Sequence, residues 1–264
     1  MTTPLPKFSN PPVTEMVLGV EFDSLFNWQV PHFGLYWNQI RSLYPVSSVV
    51  PPLPSQVEKF GQERQVEMFK FSFSPQPEVR CWFTNDQQSW LLQVQETRFI
   101  QNWRKTSMEY PHYPEARRRF DKEWERFVGF LEKEQIKVPT IKQCEITYVN
   151  HLEIGSSPNA LSEVFPFLKQ NTQSGFLPLP ETTVINLVYP LPSEQGRLHI
   201  SIQPIIRHTD AKELLQLSLI ARGCPESPEI TKLFDWFDLG HEWIVRGFTE
   251  LTSEKMHSLW ERTQ

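Results

Sequence analysis

Apolar and polar positions alternate from Thr14 onward. Met16, Leu18, Val20 and Phe22 fall on one side, and Glu15, Gly19 and Glu21 on the other, with Val17 among them. A period of two over that length predicts a half-buried β-strand. Ahead of it, Pro4, Pro6, Pro11 and Pro12 bar helix from residues 1–12 and predict an extended arm. Behind it the period changes. Phe33, Trp37, Ile40 and Leu43–Tyr44 recur at helical spacing after Pro31, which predicts a helix over 31–44. The stretch 45–54 (PVSSVVPPLP) reads as a stiff loop. Strands are predicted over 65–74, 78–84 and 89–101, with breaks at 75–77 and at Asn85-Asp86, where turn chemistry favours them. Phe120, Trp124, Phe127 and Leu131 then form the apolar stripe of a long helix over 114–135, and Pro139 closes the region.

The order then recurs. Residues 142–154 alternate, a short helix is expected near 159–169, and a Gly/Pro-rich loop spans 174–181. Strands are predicted over 182–189, 196–206 and 213–221, and a helical region starts near Pro228. Leu251–Glu254 reads as a break and restart, with Thr252 a candidate N-cap and a second short helix over 253–261 burying Met256 and Trp260. Each half runs strand, helix, three strands, helix, and Glu15 and Glu145 stand 130 positions apart at matching places. The expected fold is α+β: an arm over 1–12, then tandem units over 13–139 and 140–264. Each unit is expected to carry an antiparallel sheet covered by its long helix, the two joining into a saddle or a partly closed barrel.

Composition alters this picture in kind more than in outline. Aromatics are 13% of 264 residues, with 19 Phe and 9 Trp, so wide flat side chains must fill the core. A net charge of −5 supplies no general field for phosphate backbones, which argues against a nucleic-acid partner. Cys81, Cys144 and Cys224 lie far apart without metal or disulfide spacing, as suits reduced thiols in a cytoplasm. No apolar leader or membrane-length run is present in the sequence, so a cytoplasmic location is expected, with no membrane partner.

The sequence carries no complete catalytic signature. His241-Glu242 opens like a zinc-protease motif, but Val245 stands where the second imidazole belongs, and His241 reads as a core histidine paired with a carbonyl or carboxylate. No phosphate loop and no nucleophile elbow occurs, and neither a metal nor a cofactor is expected. Glu15, Glu21, Glu145 and His151 share the polar side of the two leading strands, joined by Glu153 and by Arg197 and His199 from a later one. They are candidates for acid–base work if the sheets face each other, and cross-strand ion pairs otherwise. The run Arg98–Lys105 with Tyr110 and Tyr113 is the most distinctive. Arg98, Asn102, Trp103, Arg104, Tyr110 and Tyr113 are candidates for a surface that holds a partner or ligand. The alternative is that Phe99 and Trp103 pack under the long helix while Arg98 and Arg104 fix a loop.

Four segments, PPVTEMVLGVEF, RFIQNWRK with YPHYP, CEITYVNHL and LGHEWIVRGFTELTSEKMHSLWER, resemble those of a sporadically distributed family of conserved hypothetical bacterial proteins. The resemblance covers nearly the whole chain in order and carries over no activity. The family's patchy distribution is similar to that of accessory genes, including antiviral-defence and toxin–antitoxin loci, and so implies a protein partner encoded nearby. Three functions follow as expectations: a non-catalytic interaction protein, a small-ligand binder using a concave sheet face, and an enzyme built on the Glu/His set. The surplus of Trp and Tyr without a catalytic signature favours the first.

Overall fold

A computed structural model describes residues 4–60, 79–106, 109–153, 160–168, 176, 180–207, 209–224 and 230–264. Alternation at Met16 to Phe22 produces β1 (Val13–Phe22), and the matching run produces β6 (Ile141–Leu152). These two strands pair with each other at the centre of one nine-stranded antiparallel sheet. On the β1 side follow β5 (Arg98–Arg104), β4 (Trp90–Gln95), β3 (Arg80–Thr84) and β2 (Val46–Val50). On the β6 side follow β9 (Lys212–Gly223), β8 (Arg197–Arg207) and β7 (Ile185–Pro190).

The strands of the two halves thus join edge to edge, through β1 and β6, into a single continuous sheet. Among the described residues it is not closed into the expected barrel, and β2 and β7 are its edges. The order of elements does recur between the halves, but among the described residues not element for element: β2 has no counterpart, and α1 (Val30–Ile40) is matched by the five-residue α3 (Ala160–Val164). The segment read as one strand over 89–101 is two, turned at Glu96-Thr97, and β2 lies within the supposed stiff loop. The predicted strand over 65–74 lies outside the described residues.

All the packed helices lie on one face. α2 (His112–Lys133) stacks Phe127 on Phe99 with ring centroids 4.9 Å apart, and α1 adds Tyr36 against Phe127 and Phe130. α4 (Ile230–Leu251) crosses β6, β9 and β8, and Phe237 meets Phe120 of α2 at 5.0 Å. Gly240 lets α4 approach closely, since a Cβ there would stand 2.8 Å from Ile146 Cγ2. α5 (Glu254–Leu259) buries Met256 and the following Trp260, as the sequence predicts. Its N-cap is Ser253 rather than Thr252, whose hydroxyl instead donates to the Phe248 carbonyl and pairs with His257. Among the described residues, no helix is long and apolar enough to cross a membrane.

Candidate functional site

The other face of the sheet carries the side chains of opposite parity, and five of them form one lateral row. Cross-strand pairing sets Arg80 beside Gln95, Gln95 beside Arg98, Arg98 beside Glu21 and Glu21 beside Gln143, from β3 through β4, β5 and β1 to β6. Along this row lies the segment Pro51–Phe60, which leaves β2 and runs across the strands rather than along them. Strands sit about 4.8 Å apart and an extended residue spans about 3.3 Å, so each strand meets the segment about one and a half residues further on. The contacts follow that interval.

Arg80 Nε donates to the Pro51 carbonyl at 2.9 Å, and Arg98 to the Pro54 carbonyl at 2.5 Å. The Gln95 amide grips Leu53 from both sides, accepting from its N–H at 2.9 Å and donating to its carbonyl at 3.1 Å. Glu21 accepts from the Ser55 hydroxyl and the Gln56 N–H. Gln143 repeats the two-point grip, donating to the Gln56 carbonyl at 3.0 Å and accepting from the Glu58 N–H at 2.8 Å. Beyond it, on β8, the Glu58 carboxylate meets Arg197 and His199, and the Arg197 guanidinium lies 4.2 Å above the Phe60 ring. Burial works to raise the Glu58 carboxyl, but the bonds from His199 and Arg197 outweigh it and hold it below the usual carboxylate range.

A second strip, beside the row, is partly open. Trp82 Nε1 donates to Gln93, Gln93 to Asn102, and Asn102 to Glu15 at 2.7 Å. Arg104 closes the circuit, donating to Glu15 at 3.1 Å while its guanidinium sits 4.8 Å over the Trp82 ring. The Arg104 and Glu15 side chains are 37% and 28% exposed, whereas Arg98 and Glu21 are 8% and 6%. The Arg98 pair is thus a fixed part of the scaffold, and the Arg104 pair is reachable from solvent.

The six residues expected to form one recognition surface are divided by the sheet. Arg98, Asn102 and Arg104 belong to the polar face. Trp103 is buried on the helix face against Tyr110, and Tyr113 is stacked on His241 at 3.8 Å with its hydroxyl donating to Asp238. His241 pairs with the Tyr148 hydroxyl at 3.0 Å rather than with a carbonyl or carboxylate. Burial raises Tyr110, Tyr113 and Tyr148 well above the ordinary phenol value, so none is a ready nucleophile.

Glu15, Glu21, Glu145 and His151 do share the polar face, but each carboxylate has its own cation: Arg104, Arg98 and Arg222. Burial lowers His151, which hydrogen-bonds with Gln216. Among the described residues the strands form one sheet, so the facing sheets on which their convergence depended are absent. Among the described residues no three His, Cys, Asp or Glu side chains group as metal ligands. No family model, no curated protein and no solved structure matches the chain.

Sequence reading missed the row itself. Gln95 and Gln143 look inert in isolation, and only their common parity with Arg98 and Glu21, together with the PPLP that follows β2, marked the place.

Proposed function

We propose that this is a non-catalytic interaction protein, an accessory subunit that holds a partner protein on the polar face of its sheet. One observation carries the reading. That face grips an extended polypeptide by its main-chain groups, and beside the grip it leaves open a strip of the type that interfaces use, Trp82 with Arg104. Each carboxylate there is matched by a guanidinium, an arrangement suited to register and orientation rather than to proton transfer. The resemblance at the sequence level adds the expectation of a partner encoded nearby, in an accessory, antiviral-defence or toxin–antitoxin type of locus. We read the recurring order of elements as the trace of a tandem duplication that placed β1 and β6 side by side.

The test is co-purification from the native host with mass spectrometry of what stays bound. Wild type and a control altered on the other side of the molecule, Leu259→Ser, should retain one protein stoichiometrically. The double variant Trp82→Ala, Arg104→Ala should lose it while melting within a few degrees of wild type. Retention by the double variant, or no partner with wild type, contradicts the proposal.

A second reading, a small-ligand binder, is favoured by an apolar groove of about 240 Å³ on the helix face, where Tyr189, Leu198 and Ile200 meet Trp243 and Gly247. Leu198→Trp would fill it and should abolish any small-molecule protection against heat.

A further inference from the structure

We propose that Pro51–Phe60 is a built-in occupant of a binding site for extended polypeptide. The partner segment that displaces it leads with proline and carries a carboxylate at the place of Glu58. This rests on the reading of the polar face as the interaction surface and specifies what binds there.

Three observations carry it. First, the grip is on the backbone. The amide side chains of Gln95 and Gln143 each present one donor and one acceptor to the main chain, as a neighbouring β-strand would, and a backbone grip transfers to any segment of the same conformation. Second, donors and acceptors are matched to proline. Pro51 and Pro54 have no N–H to offer, and at both the sheet supplies a guanidinium that needs only a carbonyl. The N–H groups that are gripped belong to Leu53, Gln56 and Glu58. A proline-led segment enters such a site already extended, with little conformational freedom to lose. Third, the segment is bound without being buried. None of residues 51–60 is buried, and Pro51, Pro52, Pro54, Ser55, Gln56 and Lys59 are exposed. Its removal would uncover polar side chains rather than the hydrophobic core. Specificity would come from the far end, where Arg197 and His199 together take the Glu58 carboxylate.

The experiment titrates a labelled peptide of sequence PPLPSQVEKF against the full chain. Three forms are compared: wild type, Glu58→Ala, and Glu58→Ala combined with Gln95→Ala and Gln143→Ala. Trypsin cleavage after Lys59 reports release of the chain's own segment. Glu58→Ala should be cut at least ten-fold faster than wild type and bind the peptide at least ten-fold more tightly. The triple variant should lose that binding, and so should a peptide with lysine in place of its glutamate. Equal binding by wild type and Glu58→Ala would overturn the occupancy while leaving the interaction face standing. Faster cleavage without peptide binding would overturn the transferable site, and unchanged cleavage would overturn the role of the Glu58 anchor. The co-purification with Trp82→Ala, Arg104→Ala reports separately on the face itself.

Discussion

The two faces of the sheet use the same strands for opposite ends, and β5 shows the difference most clearly. Toward the helices it sends Phe99 and Trp103, both at most 1% exposed, and their aromatic neighbours fix them by shape. Away from the helices it sends Arg98, Asn102 and Arg104, which are fixed by direction: each donates to a defined acceptor on the sheet or the crossing segment. Shape-filling is non-directional and carries most of the stability. Directional donors and acceptors contribute less net stability, but they discriminate between partners. The comparison teaches that the helix face makes the fold, while the polar face holds directional groups whose loss would cost the core little.

The most severe way to challenge this division is to alter the helix face. Phe127 touches Phe22, Trp28, Tyr36 and Phe99. Phe127→Ala should cost about 3–5 kcal/mol in urea unfolding. A loss below about 1 kcal/mol would mean that this face is not the core the division requires.

On the polar face, Arg98→Ala leaves the buried Glu21 without its cation and should cost about 3 kcal/mol. Removing Glu21 as well should recover part of that loss, since the unpaired charge goes with it. A double variant worse than Arg98→Ala alone would show that the pair is not what matters there.

Acid should act through the helix face. Burial holds the His241 imidazole down at about 3, against about 6.5 in the unfolded chain. Because the folded value is the lower one, the stability that neutral His241 contributes is complete above about pH 6.5 and is lost as the pH falls toward 3. The stability of His241→Phe should therefore decline less steeply than that of wild type between pH 7 and 4. Parallel profiles would place the acid sensitivity elsewhere.

The smallest effect on stability is expected at Arg104. Its ion pair is partly exposed, and Arg104→Ala should change unfolding by no more than about 1 kcal/mol. The division predicts that this variant nonetheless weakens partner retention.

How far the sequence showed all this depends on the range of the contacts involved. The helix over Phe120 to Leu131, the leading strands and the restart before Met256 are local periodicities, and they fall where the pattern placed them. The turn at Glu96-Thr97 has no Gly, Pro, Asn or Asp, so two strands read as one. β2 was hidden because Pro45 and Pro51 flank only five residues, and its exposed Val46 and Val49 give no buried alternation. The polar row left only the faint mark of shared parity for another reason. Gln143 meets Gln56 from 87 positions away and Arg197 meets Glu58 from 139, and such long-range side-chain contacts leave no periodicity. The six candidate residues in and after β5, Asn102 among the aromatic and basic ones, were legible as a cluster in sequence. Alternation along a strand, which separates Asn102 from Trp103, was the physical reason they could not all share one surface.

The central claim is that Pro51–Phe60 lies on the polar face as a displaceable occupant while the helix face forms the cooperative core. Residue-resolved hydrogen exchange in low, increasing urea tests it most directly. The account predicts that the Leu53, Gln56 and Glu58 amides exchange through a local opening that costs less than global unfolding and is nearly independent of urea. The Phe99 and Ile146 amides should exchange only by global unfolding, with its full urea dependence. If the amides of the segment share the free energy and urea dependence of Phe99 and Ile146, the segment is part of the core and the claim fails.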